Sequence, residues 1–299
     1  MDIAPHLGEI LSLATAVLWA LAIVLFKKSG EHVHPIALNT FKDILAAILY
    51  LPTLYLAGMS LNQPFPASDY WLLVASGVIG LAIGDTLLFQ SLNMIGASAS
   101  ALVSTLYSPF IIALGFLWLG ETLTGLQLVG VAMILAAVFE ATYVRERGPV
   151  PVERRRRLLG IAVGVAAMAA MAVGVVMVKP VLDRAPLLWA VEIRMIGGAA
   201  ALVLYLVFHP RRRRIMRTLL VRESRAATLA SSVIGGYVAM MCWLGGMKYT
   251  DVSIASALNQ TSTIFVLLFA ALILRERITP ARVAAILAAF AGATLVTFG

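Results

Sequence analysis

Apolar residues along this chain fall into runs of about twenty, separated by short breaks built from Pro, Gly and charged residues. A bilayer core of about 30 Å needs about 20 apolar residues per helix, so each run predicts a membrane-spanning helix. Ten such spans fit, at residues 8–27, 36–57, 70–91, 97–119, 124–144, 158–179, 187–208, 226–247, 252–274 and 280–298. Breaks such as NMIGAS (93–98) and GETLT (120–124) leave room only for tight turns, so consecutive spans are antiparallel neighbours. The expected fold class is an all-α integral membrane protein, with nothing left over for a soluble domain.

The runs also repeat. With an offset of 152, Gly8 falls on Gly160, Ala14 on Ala166, Val24 on Val176, Lys27 on Lys179 and Lys42 on Arg194. With an offset of 155, Ser76 falls on Ser231, Gly80 on Gly235, Ser98 on Ser253, Glu121 on Glu276 and Thr124 on Thr279. Leu, Ala and Val align easily by chance in such a composition, whereas Lys and Glu in register do not. The expected organisation is a first repeat at 1–147, a basic linker at 148–157 and a second repeat at 158–299. Five spans per repeat is an odd number, so the second enters the membrane from the opposite side, and the repeats are inverted.

Composition agrees: 61% of residues are hydrophobic, 13% are charged and the mean hydropathy is +0.94, far from a soluble domain. The net charge of +8 raises the question of nucleic acid, and the placement of the charges answers it. Eighteen Lys and Arg follow odd-numbered spans, whereas Lys179, Arg184 and Lys248 alone follow even-numbered ones. Basic loops stay cytoplasmic, so both termini are expected outside a bacterial-type inner membrane. The linker stretch RERGPVPVERRRR (145–157) is then a cytoplasmic loop beside anionic lipid headgroups. It has no aromatic partner for bases, and no nucleic-acid role is expected. The first run starts too early for a basic leader and ends in FKKSG rather than at a cleavage site, so it reads as a retained helix. The single Cys242 forms no disulfide framework, and His6, His32, His34 and His209 lie outside or at the edges of the spans. No metal, cofactor or catalytic nucleophile is expected.

Polar groups within spans are therefore the candidate chemistry. Ser256, Asn259, Gln260 and Thr263 recur at the spacing of one helix face in the ninth span. The equivalent positions of the fourth span are Ala101, Ser104, Thr105 and Ser108. Both stripes are expected to flank a midplane cavity, although hydroxyls alone also serve as interhelical packing contacts. Tyr107, and Tyr237, Met240 and Trp243 of the eighth span, are candidates to add aromatic and thioether surface. Intramembrane charges are costly unless paired. Lys42, Asp43, Asp85, Glu192 and Arg194 are therefore expected in pairs or near an interface, with structural pairing favoured over substrate contact for Lys42 and Arg194. Asp85 is the candidate for proton coupling, and nothing matches it in the second half, where Met240 stands. Glu121 and Glu276 read as turn-capping residues at helix ends.

The segment SASALVSTLYSPFIIALGFLWLGETLTGLQLVGVAMILAAVF (98–139) carries Ser108-Pro109 near the middle of a small-residue helix, Gly120-Glu121 at its end and Gly130 in the next. Its partner in the second half keeps Glu276 and has Ile264 where Pro109 stands. These features resemble the EamA-type repeat of the drug/metabolite transporter superfamily, most closely its amino-acid exporters of the YddG type. The resemblance implies a carrier that exports small metabolites, neutral or aromatic amino acids foremost, by alternating access. A multidrug or other metabolite permease is the alternative. An intramembrane aspartyl protease is a poorer fit, because Ala82-Ile83-Gly84-Asp85 lacks the first glycine of its motif. The expected partners are a small-molecule substrate and membrane lipids, and the chain is expected to be a monomer.

Overall fold

In the computed structural model, residues 6–114, 117–118, 124–143, 154–182, 184–249, 258–259, 261–276 and 279–298 are described. The first two apolar runs form α1 (Leu7–Ser29) and α2 (Pro35–Leu56). The start of α2 is fixed by His34, whose Nδ1 accepts a hydrogen bond from the Ile36 amide at 3.3 Å, and by Pro35, which gives up only an amide that a helix start leaves unpaired. Next come α3 (Ala67–Ile95), α4 (Ala97–Ser104), α5 (Tyr107–Leu114) and α6 (Gly125–Tyr143). The second half runs through α7 (Arg154–Val176), the single turn α8 (Lys179–Leu182), α9 (Leu187–Phe208) and α10 (Arg212–Arg217). It ends with α11 (residues 222–249), α12 (Ser262–Ile273) and α13 (Pro280–Phe298). Among the described residues there is no strand.

Six of these helices are long and apolar enough to cross a membrane: α1, α2, α3, α7, α9 and the Arg222–Trp243 part of α11. Shorter apolar stretches lie at Leu128–Ala137, Ser262–Ile273 and Val283–Gly292. Helix α7 begins four residues before the hydrophobic pattern does, at Arg154, because arginine is a good helix former and an exposed first turn needs no apolar face.

Two departures from uniform α-helix shape the interior. The fourth run breaks between α4 and α5, where Thr105 N and Leu106 N turn to the third carbonyl back, at 3.2 and 3.1 Å. Pro109 is the cause, since it cannot donate to the Thr105 carbonyl and crowds it. Wide π-type turns occupy Gly77–Asp85 of α3 and Ser232–Ala239 of α11, which begin on equivalent residues under the offset of 155. Such turns leave carbonyls in need of donors. Asn39 of α2 supplies its side-chain amide to Leu81 O at 2.8 Å, Ala82 O at 3.3 Å and Thr86 Oγ1 at 3.0 Å.

The halves exchange neighbours. Helix α1 packs against α11 and α12, while α7 packs against α3, α4 and α5. Equivalent helices also meet, α2 with α9 and α6 with α13, and the fourth and ninth runs meet through α4 and α12. Glycines allow the closest crossings. A Cβ on Gly77 would sit 2.1 Å from the Arg194 carbonyl oxygen, and one on Gly174 would sit 2.9 Å from Gly80 Cα. Leu56, Trp71, Leu204 and Phe208 are exposed on the outside, as suits side chains facing lipid.

Candidate functional site

A cavity of about 200 Å³ lies where α1, α3, α7, α9 and α11 converge on the α4–α5 break and on Asn259, Ser262 and Thr263. Its polar lining comes from Thr15, Ser104, Tyr107, Arg194, Asn259, Ser262 and Thr263. The apolar lining includes Trp19, Leu88, Met168, Met171, Met240 and Trp243. Several of these are repeat partners. Trp19 and Met171 match under the offset of 152; Leu88 and Trp243, Ser104 and Asn259, and Tyr107 and Ser262 match under 155. The cavity is thus built from both halves, in part at corresponding positions, and an apolar wall with a few convergent polar groups is the usual form of a small-molecule site.

The expected residues sort unevenly against it. Ser104, Tyr107, Met240, Trp243, Asn259 and Thr263 line the cavity. Thr105 and Ser108 are buried off it, and Thr105 Oγ1 donates to Leu102 O at 2.6 Å within the helix break. Tyr237 faces α2 instead of the cavity. Its hydroxyl pairs with Thr53 Oγ1 at 2.6 Å, its carbonyl accepts from Tyr50 Oη at 3.1 Å, and its ring packs edge-on against Tyr50 at 5.0 Å. Ser256 and Gln260 lie outside the described residues, as does Glu121. The sequence reading missed the walls from α1 and α7. Trp19, Met168 and Met171 are apolar residues in apolar helices, and the signal that Trp19 and Met171 share a repeat position was in the offset already used for Lys27 and Lys179.

The intramembrane charges divide into a closed group and an open one. Lys42 lies 3.0 Å from Asp43 Oδ1 and donates to Asp85 Oδ2, with all three side chains buried. The ammonium also sits 5.6 Å from the centre of the Phe89 ring. The expected structural pairing thus describes Lys42, and it gives Asp85 an ionic partner. It does not describe Arg194. That guanidinium is 7% exposed and lines the cavity, and its Nε has no hydrogen-bond partner. Among the described residues no acidic side chain lies within 4.0 Å of it. The terminal nitrogen Nη2 passes over Gly80, 3.7 Å from where a Cβ would stand. Glu192, two residues away on α9, is fully buried without a partner for either oxygen and stands within electrostatic reach of Tyr50, whereas the acid within electrostatic reach of Arg194 is Asp85, which is paired with Lys42. The equivalents of Asp43 and Asp85 in the second half are Met195 and Met240, so the residues that occupy Lys42 have no counterparts at Arg194.

Glu276 caps a helix other than its own. Its carboxylate accepts from the amides of Ala97 at 2.9 Å and Ser98 at 3.3 Å and from Ser98 Oγ at 2.6 Å. It thereby closes the N-terminus of α4, where a negative group meets unpaired amides and the positive end of the helix dipole.

The sequence profile of the EamA-like transporter family matches the chain twice, over residues 6–143 and 158–298. The chain belongs to the EamA-like transporter family. It is accordingly a membrane transporter of the drug/metabolite type and not an enzyme. Among curated proteins, it is similar to the threonine/homoserine exporter RhtA of Salmonella typhimurium, with 30% identity over 147 residues, 48% of this chain and 47% of that protein. A second relative is the uncharacterized transporter YoaV of Bacillus subtilis, 23% identical over 147 residues, 49% of this chain and 50% of that one. Each match spans about half the length of the relative. A solved crystal structure superposes with a TM-score of 0.70 at 19% identity, covering 97% of this chain and 98% of that one, which shows a shared fold. In this EamA-like chain the family's two copies provide both sides of the cavity.

Proposed function

We propose that this EamA-like transporter exports neutral amino acids across a bacterial inner membrane by alternating access, binding them in the cavity between its halves. The observation that carries the reading is Arg194, a buried guanidinium facing that cavity with no acid within 4.0 Å among the described residues, the acid in its electrostatic reach, Asp85, being already paired with Lys42. A buried charge without a partner is costly, and a substrate carboxylate is its natural complement, since an arginine fork binds a carboxylate through two parallel charge-assisted bonds. The substrate ammonium finds neutral acceptors in Ser104, Asn259 and Thr263 and π faces in Trp19, Tyr107 and Trp243. A zwitterion suits this lining better than a sugar phosphate, which wants several convergent cations, or a drug cation, which wants a free carboxylate. The 200 Å³ volume favours small neutral amino acids over large aromatic ones, in keeping with the name of the Salmonella relative.

In this reading the chain crosses the membrane ten times as two inverted five-helix repeats, with both termini outside. The exchanged packing of α1 and α7 and the meeting of equivalent helices support that symmetry, and rocking of one repeat against the other opens the cavity to each side in turn. Ser104, Thr105, Tyr107, Ser108, Ser256, Asn259, Gln260 and Thr263 belong to the two stripes flanking the path. Cells overproducing the protein should survive toxic analogues of small neutral amino acids better than controls, and Asn259→Ala should reduce that tolerance without reducing membrane insertion. Resistance to cationic dyes with no change in analogue tolerance would replace this reading with a multidrug one.

A further inference from the structure

The connection from α9 to α11 gathers Arg211, Arg212, Arg213, Arg214 and Arg217 in seven positions. Two open clefts of about 710 and 650 Å³ meet there and share His209, Arg211 and Arg214. The cluster sits on a fixed frame. Helix α10 is docked through Ile215, 6% exposed and part of the main apolar core. Its continuation is tied to the α1–α2 loop, because the His34 amide donates to Thr218 Oγ1 at 3.0 Å, and the Arg211 amide donates to His209 Nδ1 at 3.1 Å.

Within this frame the arginines have different duties. Arg212 donates to the Val207 carbonyl at the end of α9. Arg211, Arg213, Arg214 and Arg217 are exposed, and among the described residues none has an acidic side chain within 4.0 Å. Among the described residues, Glu31 is the one acid lining either cleft. Directly along α9 from the cluster, Leu204, Val207 and Phe208 are 60%, 50% and 78% exposed. Spare guanidinium donors on an anchored helix therefore stand at the rim of an exposed apolar wall. A phospholipid presents that combination, an anionic phosphate followed by acyl chain, and a soluble anion presents only the first part.

We propose that the α9–α11 connection is a binding site for the phosphodiester headgroup of an anionic phospholipid, held by the guanidinium groups of Arg211 and Arg214 with the acyl chains along Leu204 and Phe208. Arginine suits this ligand because its planar fork matches two phosphate oxygens at once. The site is coupled to the carrier's motion through its frame. The same end of the molecule is fastened by Ser29 Oγ to Thr228 Oγ1 at 2.6 Å and by His32 Nδ1 to Ser224 Oγ at 3.2 Å, both joining the α1 side to α11. A headgroup bracing α10 against the α1–α2 loop favours the state in which this end is closed, by the difference in its affinity for the two states.

The test titrates the purified full-length protein in detergent with phosphatidylglycerol, phosphatidylcholine and glycerol 3-phosphate, counting bound molecules by native mass spectrometry. Phosphatidylglycerol is expected to bind and phosphatidylcholine not to. The double variant Arg211→Gln/Arg214→Gln should weaken phosphatidylglycerol binding roughly thirty-fold. Arg154→Gln/Arg155→Gln, which removes the same charge elsewhere, should change it by less than about threefold. Melting in lipid-free detergent reports folding. If the glutamine variant melts early, Arg211→Lys/Arg214→Lys replaces it, and loss of the fork should still weaken binding about threefold or more. Equal losses in the two charge-matched variants would reduce the site to diffuse attraction and overturn the proposal, as would no loss in either or equal binding of phosphatidylcholine. Glycerol 3-phosphate binding as tightly as the lipid would also overturn it, in favour of a soluble phosphate.

Discussion

Lys42 and Arg194 fall on one another under the offset of 152, and among the described residues only Lys42 has acids within 4.0 Å. If Lys42 is structural, Lys42→Met should cost about 3–5 kcal/mol by stranding Asp85 in the interior. The double variant Lys42→Met/Asp85→Leu should recover much of the loss, as read by thermal melting in one detergent. If Arg194 binds substrate, Arg194→Gln should lower transport roughly ten- to a hundred-fold with little change in melting, the size of a lost charge-assisted hydrogen bond. Part of this contrast was legible in the sequence. Lys42 and Arg194 stand out as charges in apolar runs, and repeat symmetry suggested one role for both. Their roles separate because Met195 and Met240 stand where Asp43 and Asp85 stand in the first half, and that consequence appears only once α2 and α3 are seen to bring those acids to one ammonium. Polar residues such as Ser104, Asn259 and Thr263 advertise themselves against apolar neighbours. Trp19 and Met171 do not, since a cavity-facing and a lipid-facing apolar side chain look alike in a hydrophobic pattern.

Helix crossings and helix ends carry the next level of constraint. Gly77 and Gly80 lie one turn apart on α3, yet a Cβ would meet a backbone oxygen at 2.1 Å on the first and only ordinary contacts at 3.6 and 3.7 Å on the second. Gly77→Ala should therefore cost about 1–3 kcal/mol through overpacking against α9, while Gly80→Ala should melt within a few degrees of the parent. Glu276→Ala should cost about 1 kcal/mol by uncapping α4, seen as faster amide exchange at Ala97 and Ser98. The α2 cap carries a pH dependence. Burial, and secondarily the His209 charge, holds the His34 imidazole below its ordinary value of 6.5. The unfolded chain then takes up the proton first, so the fold keeps its full stability above about pH 6.5 and loses some as pH falls below it. Melting should drop between about pH 7.5 and 5.5, and His34→Asn, which keeps an acceptor for Ile36 N, should reduce that drop. Element positions were largely legible, because run length dictates span length. The break at Thr105 followed from Pro109, which the sequence displayed without revealing which turn it would open. The π-type turns at Gly77–Asp85 and Ser232–Ala239 were not legible, as they depend on Asn39 and on neighbouring helices accepting the widened backbone.

At the scale of the whole molecule, each half lends its first helix to the other: α1 seals against α11 and α12, and α7 against α3 and α5. Neither half closes the cavity alone, so residues 6–143 expressed without 158–298 should insert but fail to transport, and co-expression of the two should restore flux. The proposed orientation, with both termini outside, further predicts that alkaline phosphatase fused after Gly299 is active and the same enzyme fused at Gly148 is inactive. The most direct test of the central claim is counterflow of radiolabelled threonine and other small neutral amino acids in proteoliposomes, run side by side for the parent and Arg194→Gln. The expected result is counterflow by the parent that unlabelled neutral amino acids compete away and their decarboxylated amines do not, with at least tenfold lower flux in the variant. Equal competition by the decarboxylated amines, or undiminished flux in Arg194→Gln, would contradict the assignment of Arg194 as the carboxylate anchor of an amino-acid carrier.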